Sequence, residues 1–538
     1  MSLNRAIWRD LGMPYRVIAR RVKTRRVHAA LTSTWVATGA VAADNIGPST
    51  TTEPYIVPGH PLVKTKSILT VGDSVPLATD PAKSYRLLGI PDGLGAFQSE
   101  GKTFTLLVNH ELGPTQGPPH AHGFPGAVVS HWRIHRDTLE VLSGRDLATK
   151  VQVWDPASRS YIQGTGAWSH FCSADLAAPN AFFYSGLGTL HRLYLTGEET
   201  RPPSSADHGR AFAHIVTGPN QGQSWQLPRL GRYAFENAVA SPHGKEKTIV
   251  VGLDDSDRST SSSRICTQQG QKDCTVPSEL YVYVGAKQAQ GNEIERAGLT
   301  NGQLYGLKVS VNDKPIAEEN DVNGLDPTSF GGSGHFSLHQ LGDVSGKSGI
   351  ELQQRSIDAG IMRFQRVEDG AWDPRSDHKN NFYFVTTASA SQNSRLWRLR
   401  FADIEHPELG GTIAILLTGS EGHKMLDNLT IDRLGRLLIQ EDVGDDARLG
   451  KIWLYLIDTG HFIEVAQHNP RFFLNHGQAE FITQHEESSG IIEAEGILGK
   501  GWFLLDVQAH KAHPETALVE FGQVLAMFVD PRLDQEVK

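Results

Sequence analysis

Carboxylates recur in short clusters along this chain: Glu198 and Glu199 in TGEET, Glu236 in YAFENAVAS, Asp254, Asp255 and Asp257 in GLDDSD, Glu368 and Asp369 in RVEDGAWD, and Asp427 beside Asn428 in KMLDNLTID. QEDVGDD adds Glu441, Asp442, Asp445 and Asp446, and QHEESSG adds Glu486 and Glu487. Anionic side chains gathered on one cavity repel one another by kcal/mol amounts at reduced dielectric unless cations neutralise them. Hard divalent cations suit such a set, calcium above all, because it accepts roughly six to eight irregularly placed oxygens. Taken singly, each cluster also reads as solvated turn residues, and Gly444 marks QEDVGDD as the most loop-like. Their recurrence at equivalent points of a repeat is what argues for one shared site.

Two other residue types bear on that chemistry. Cys172, in SHFCSADL, reads as half of a disulfide, as a buried thiol, or as a soft ligand. Thiolate is a poor partner for calcium and a good one for iron or zinc, so a cysteine beside the carboxylates implies a mixed site. His170 beside it is a further possible ligand or a packed ring. Arg366 lies two residues from Glu368, on the same side of an extended segment. It reads either as a salt bridge or as a bidentate grip on a phosphate held by cations.

Strands are the elements that would place these groups. TFTLLVNHE, LHRLYLTGEE, KTIVVGLDDS, NFYFVTTAS, RLLIQEDVG and GWFLLDVQAH are apolar runs, most of them ending in acids or histidine. Several are followed by a second run with aromatic residues: HWRIHRDT, ELYVYVGAK, RLWRLRF and KIWLYLIDTG. Glycine and proline are frequent and long amphipathic helical periodicity is scarce, which makes this an all-β text. Six strand pairs at irregular spacing predict a six-bladed β-propeller with loop insertions, with an irregular sandwich or a two-domain β protein as alternatives. Residues 201–210, 256–278 and 310–350 read as insertions. Residues 1–43 read as an export leader, 44–66 as a linker and 67–538 as a single propeller domain.

Composition excludes some classes of function. The net charge is -9, with 60 acidic side chains against 51 basic ones, and the basic residues cluster only in the first thirty positions, so no polyanion-binding surface is expected. No run reaches the roughly 18 to 20 apolar residues of a bilayer-spanning helix. Near the start, Arg20-Arg21 and Arg25-Arg26 precede a weakly apolar stretch and small residues at 40–43, the order of a twin-arginine export signal and hence of a periplasmic or extracellular protein. Cys266 and Cys274 flank a short polar segment and are placed to close on each other in an oxidising compartment, which leaves Cys172 over.

Several stretches together resemble one family. LTVGDSVP, YRLLGIPDGLGAF, TLLVNHELGPTQG, FCSADL, GRYAFENAVASP, VVGLDDS, ELYVYVGAKQ, RVEDGAWDP, MLDNLTIDRLGRLLIQED and WFLLDVQAH resemble the PhoX-type alkaline phosphatases, calcium- and iron-dependent propeller enzymes, over residues 67–530 or so. The resemblance implies that Cys172, with Glu198 or Glu199, binds ferric iron. It implies that Glu236, Asp254 or Asp255, and Asp427 belong to the metal set, with Glu368 on calcium and Arg366 on phosphate. Two positions depart from the family: its Cys-Ala-Gly-Gly is Cys172-Ser173-Ala174-Asp175 here, and Gly197 stands where its Thr-Cys-Glu-Glu run has a second cysteine.

The expected activity is therefore metal-assisted hydrolysis of a small phosphate monoester, with His110 or His510 as candidates to assist the leaving group. Two alternatives are a secreted calcium-stabilised propeller with a non-catalytic binding role and a calcium-dependent hydrolase such as a lactonase, both of which would need no iron.

Overall fold

The computed structural model describes residues 45–256, 266, 271, 276–321 and 334–536. The expected leader, most of the 256–278 insertion, Asp257 and Cys274 lie outside the described residues. Cys266 is disulfide-bonded and Cys172 is a free, buried thiol. No helix among the described residues is long and apolar enough to cross a membrane.

The apolar runs marked in the sequence form Thr103–His110, Leu193–Glu198, Lys247–Asp254, Asn381–Thr386, Arg436–Glu441 and Trp502–Ala512. Each lies second from an edge of its sheet, covered on both faces, which is why these strands are almost continuously apolar. The edge strand beside each is shorter or more polar. We label these edge strands β1 (Pro91–Gln98), β2 (Phe171–Leu176), β3 (Phe235–Ala240), β4 (Val367–Trp372), β5 (Leu426–Ile431) and β6 (Glu486–Glu493). Each touches the next in this order and β6 touches β1, so the strands form a closed, propeller-like ring with the sheets radiating from it.

Ring closure uses the start of the described chain. Val63–Thr70 pairs antiparallel with Glu520–Val529 on the outside of the β6 sheet, and Ile56–Pro58 pairs with Phe462–His468 on the outside of the β5 sheet. Part of the segment expected to be a linker is thus strand. The β3 and β4 sheets join at their outer edges, where Gly334–Gly342 pairs with Gly411–Leu417. The 310–350 stretch, expected as loop, also contains Lys314–Ile316 and leads into helix α1 (Gly349–Ala359). Ser348 and Glu351 cap α1 reciprocally, a signal legible as Ser-x-x-Glu.

Wedges between neighbouring sheets hold the core. Ile68, Leu504, Val524 and Ala526 of the β6 sheet meet Leu94, Leu106, Val108 and Trp132 of the β1 sheet. The inner strands approach closely enough that a Cβ on Gly93 would lie 2.5 Å from the Ala174 nitrogen. Polar ties lock the ring from inside. Asn237 Nδ2 donates to Asp369 Oδ1 at 2.7 Å, the Ala240 amide to Asp175 Oδ2 at 2.8 Å, and Asn428 Nδ2 to Ser173 Oγ.

Candidate metal centre

Each inner strand slips register against its neighbour, the first five near their starts and β6 at mid-strand. The slips fall between Pro91 and Leu94, Phe171 and Ala174, Phe235 and Asn237, Val367 and Gly370, Leu426 and Leu429, and Ser489 and Ile491. A bulge frees residues from the ladder and re-aims their side chains. The residues inside the first five slips include Asp92, Cys172, Glu236, Glu368 with Asp369, and Asp427, and Gly490 occupies the sixth. The chain thus turns one local irregularity, repeated around the ring, into a convergent set of potential ligands.

A second layer comes from the neighbouring strands. Opposite the starts of β1 to β6 stand His110, Glu198, Asp254, Thr386, Glu441 and Ala509. The residues that follow them are Glu111, Glu199, Asp255, Thr387, Asp442 and His510. Successive side chains of extended backbone alternate in direction, so only one member of each pair can reach the ring's interior.

Interactions made by the first member run into the sheet. Glu198 takes a bidentate ion pair from Arg210 at 2.6 and 2.7 Å. Glu441 is held by Arg448 and by Trp453 Nε1 at 2.9 Å. Asp254 accepts from Ser256 Oγ at 2.6 Å and from the Ala234 amide at 3.2 Å, and burial raises its pKa to about 7. His110 is fully buried between Ser130 Oγ and the Gly89 carbonyl, and burial lowers its pKa to about 4, so it stays neutral inside the sheet.

Three adjoining groups of potential ligands result: Asp92, Glu111 and Cys172; Cys172, Glu199 and Glu236; and Glu236, Glu368 and Asp427, each with its ligand atoms within 4.8 Å of one another. Cys172 belongs to the first two and Glu236 to the last two, so the three form one continuous array. Cys172 Sγ donates to Asp92 Oδ2 at 3.4 Å, and Gln508 Nε2 reaches Asp92 Oδ2 at 2.8 Å and Glu111 Oε2 at 3.2 Å. Buried acceptors are left without donors here: Asp92 Oδ1, Glu236 Oε1, Asn428 Oδ1, Gln508 Oε1 and both oxygens of Asp506. Orphaned acceptors without matching orphaned donors fit cations. Carboxylates with one sulfur in two groups, and carboxylates alone in the third, fit a thiophilic metal beside a hard one.

Electrostatics agree with that donor set. Burial, then repulsion from Glu487, pushes Asp92 and Asp427 well above the usual carboxylate range. Burial, then Glu199 for Glu111, Glu368 for Glu236 and Asp255 for Glu368, does the same. Glu199 rises to about 7 through burial and Asp255, and Asp442 to about 6 through burial and Glu487. Burial and Asp92 raise the Cys172 thiol, so its thiolate needs a cation nearby. Two members are already compensated. Burial of Asp255 is outweighed by Arg366, whose Nε and Nη2 donate to it at 2.8 and 2.7 Å. Burial of Glu487 is outweighed by His510, which lies 3.4 Å away, bonds Glu520 at 2.9 Å on its other side, and has a pKa raised to about 11.

Of the residues named from sequence, Cys172, Glu199, Glu236, Glu368 and Asp427 come together in the array, with Asp255 and Arg366 at its edge. Glu198 and Asp254 turn into the sheet. Asp369 is taken by Asn237 and by the Gly370 and Leu429 amides. His170 bonds Ser169 Oγ at 2.6 Å through its Nδ1. Sequence reasoning missed Asp92 and Glu111 as members of this array. The missed signal is an apolar residue or proline, then the ligand, then a small or polar residue: Pro-Asp-Gly, Phe-Cys-Ser, Phe-Glu-Asn, Val-Glu-Asp and Leu-Asp-Asn open five of the inner strands. Gly197, where the resembling family carries a cysteine, has no room for one, because a Cβ there would lie 2.2 Å from the Phe235 Cβ.

No protein-family profile matches the chain, and no curated protein matches it in sequence. Among solved structures, Pseudomonas fluorescens PhoX, determined in complex with vanadate, a transition state analogue, superposes with a TM-score of 0.57 at 13% identity, covering 87% of this chain and 95% of that one. The PQQ-bound aldose sugar dehydrogenase of Streptomyces coelicolor gives a TM-score of 0.34 at 12% identity, covering 87% and 98%. The first likeness is one of fold.

Proposed function

We propose that this chain is an exported, metal-dependent phosphatase that hydrolyses phosphate monoesters at a calcium- and iron-binding centre inside a six-bladed β-propeller. The observation that carries the reading is the array of three ligand groups threaded through Cys172 and Glu236, with Arg366 between that array and an open pocket of about 560 Å³. The fold shared with PhoX supports it, since that protein was determined in complex with vanadate, a transition state analogue. The six closed inner strands, each with its own bulge, support the blade count.

Cys172, Asp92, Glu111, Glu199 and Glu236 would hold iron, and Glu236, Glu368 and Asp427 calcium. When bound, these ions supply positive charge for the phosphoryl oxygens and a source of hydroxide at neutral pH. Arg366 faces the same volume and stabilises charge gathering on the equatorial oxygens as the ester bond breaks. His510 keeps Glu487 ionised. His110, enclosed in its sheet, has no path to the substrate.

Protein made in a host that exports folded proteins, assayed with p-nitrophenyl phosphate before and after chelation, tests the reading. Hydrolysis should vanish on chelation and return with calcium and iron. Hydrolysis undiminished without metal, or none from metal-replete protein, would overturn it.

A further inference from the structure

The pocket over Arg366 contains a second guanidinium, Arg201, which no sequence argument singles out. Arg201 Nη1 donates to Glu199 Oε1 at 2.8 Å, as Arg366 does to Asp255. Both side chains are largely buried yet keep a solvent face, 21% and 28% exposed. They are the two cationic side chains in the lining of this pocket. The other walls are small or aliphatic, including Ala388, Ser389 and Met425, and the lining is completed by Asp445, which is exposed, and Asp446, which is half-buried. No aromatic ring lines the pocket, and the nearby ammonium of Lys424 donates to the Ala390 carbonyl at 2.6 Å.

We propose, building on the phosphatase reading, that Arg201 and Arg366 form a two-guanidinium seat for one phosphoryl group, and that the pocket takes monoesters of uncharged or cationic alcohols in preference to esters bearing a second phosphate. Cations arriving at Glu199 and Glu368 compete for carboxylate oxygens with Arg201, 2.8 Å from Glu199, and with Arg366, whose Nη2 lies 3.2 Å from Glu368 Oε1. The planar donor forks that lose this contest need an acceptor of matching geometry, and phosphate provides one. A second phosphate would lie against Asp445 and Asp446, where like charge opposes it. Without an aromatic wall, a nucleobase has nothing to stack on.

The test is calorimetric titration of metal-replete protein with inorganic phosphate. Arg201→Gln should weaken phosphate binding at least tenfold with metal content unchanged by elemental analysis, and Arg201→Lys should recover part of the loss. Arg201→Lys also serves if Arg201→Gln fails to accumulate, with a weakening of several-fold expected. Wild-type protein should favour glycerol 2-phosphate over fructose 1,6-bisphosphate by tenfold or more in kcat/KM, and Asp445→Asn with Asp446→Asn should narrow that ratio. Variants at Arg201 that bind phosphate as tightly as wild type, or equal rates on the two esters, would overturn the inference while leaving the phosphatase reading intact. Wild-type protein that neither binds phosphate nor hydrolyses p-nitrophenyl phosphate would remove the reading itself.

Discussion

Glu198 and Glu199 are adjacent in sequence and live in different electrostatic worlds. Glu198 faces the sheet and is closed off by the Arg210 fork. Glu199 faces the ring's interior, within reach of Cys172 and Glu236, with Arg201 on one side only. The contrast recurs: Glu441 is matched by Arg448, whereas Asp442 lies beside Glu487. Glu319 with Arg395 and Asp432 with Arg436 extend the sheet-side class. In the first class, Glu198, Glu441, Glu319 and Asp432 maintain the fold because each has its own cation in the chain, and Asp254, on the same side, is held by the Ser256 hydroxyl and the Ala234 amide instead. Those of the second are deficient in positive charge, and the chain leaves the deficit for something it does not encode.

Removing cations should have the largest effect. An ion bound at a thousandfold excess over its Kd stabilises the native state by about 4 kcal/mol, so chelation should lower the Tm well beyond the scatter of repeated scans, with recovery on adding calcium. Equal melting with and without chelator would erase the distinction between the two classes.

Acidity should sharpen it. Glu199, near 7, and Asp442, near 6, are raised above the roughly 4 of an unfolded carboxylate. The cation-free native protein therefore keeps protons that the unfolded chain releases. Their contribution to its stability is complete below about pH 4, declines as pH rises, and is gone by about pH 7. Thermal scans of chelated protein should decline over that window, and the gain on adding calcium should grow over it. A flat profile would mean that neither burial nor mutual repulsion penalises the charged form of these interior acids.

Substitution should split the classes by sign. Glu198→Gln strands the Arg210 guanidinium and should cost about 2–3 kcal/mol in chemical denaturation, discounted for Arg210's partial exposure, while leaving cation content alone. Glu236→Gln should stabilise the chelated protein by about 1–2 kcal/mol by removing an acid that burial, and then Glu368, disfavours, and should lose cations. Matching signs for the two variants would break the comparison. The smallest effect on the fold is expected from Cys172→Ser, within about 1 kcal/mol, but with iron content falling more than calcium content. Unchanged iron would return Cys172 to the status of a structural thiol.

The sequence revealed the sheets more readily than the ring they enclose. Thr103–His110 and Asn381–Thr386 are covered on both faces and read as unbroken apolar runs. β3 and β5 carry Glu236 and Asp427 inside a bulge, which breaks the period-2 pattern that identifies a strand. That is why Glu236 and Asp427 were legible as acids but their strands were not. The choice between Glu198 and Glu199 turns on which side chain clears the strand's end, and that depends on register. Asp92 follows Pro91 in what reads as a turn, and Arg201 gains meaning only beside Arg366, far away in the chain. Gly197 stands where the resembling family has a cysteine, and what leaves no room there is contact with Phe235, packing between neighbouring sheets.

The most direct test is elemental analysis of protein purified without chelator from an exporting host. This account predicts calcium and iron both at stoichiometric levels, with iron lost selectively in Cys172→Ser. Protein that is folded by circular dichroism, yet carries neither metal and acquires none on dialysis against both, would contradict it.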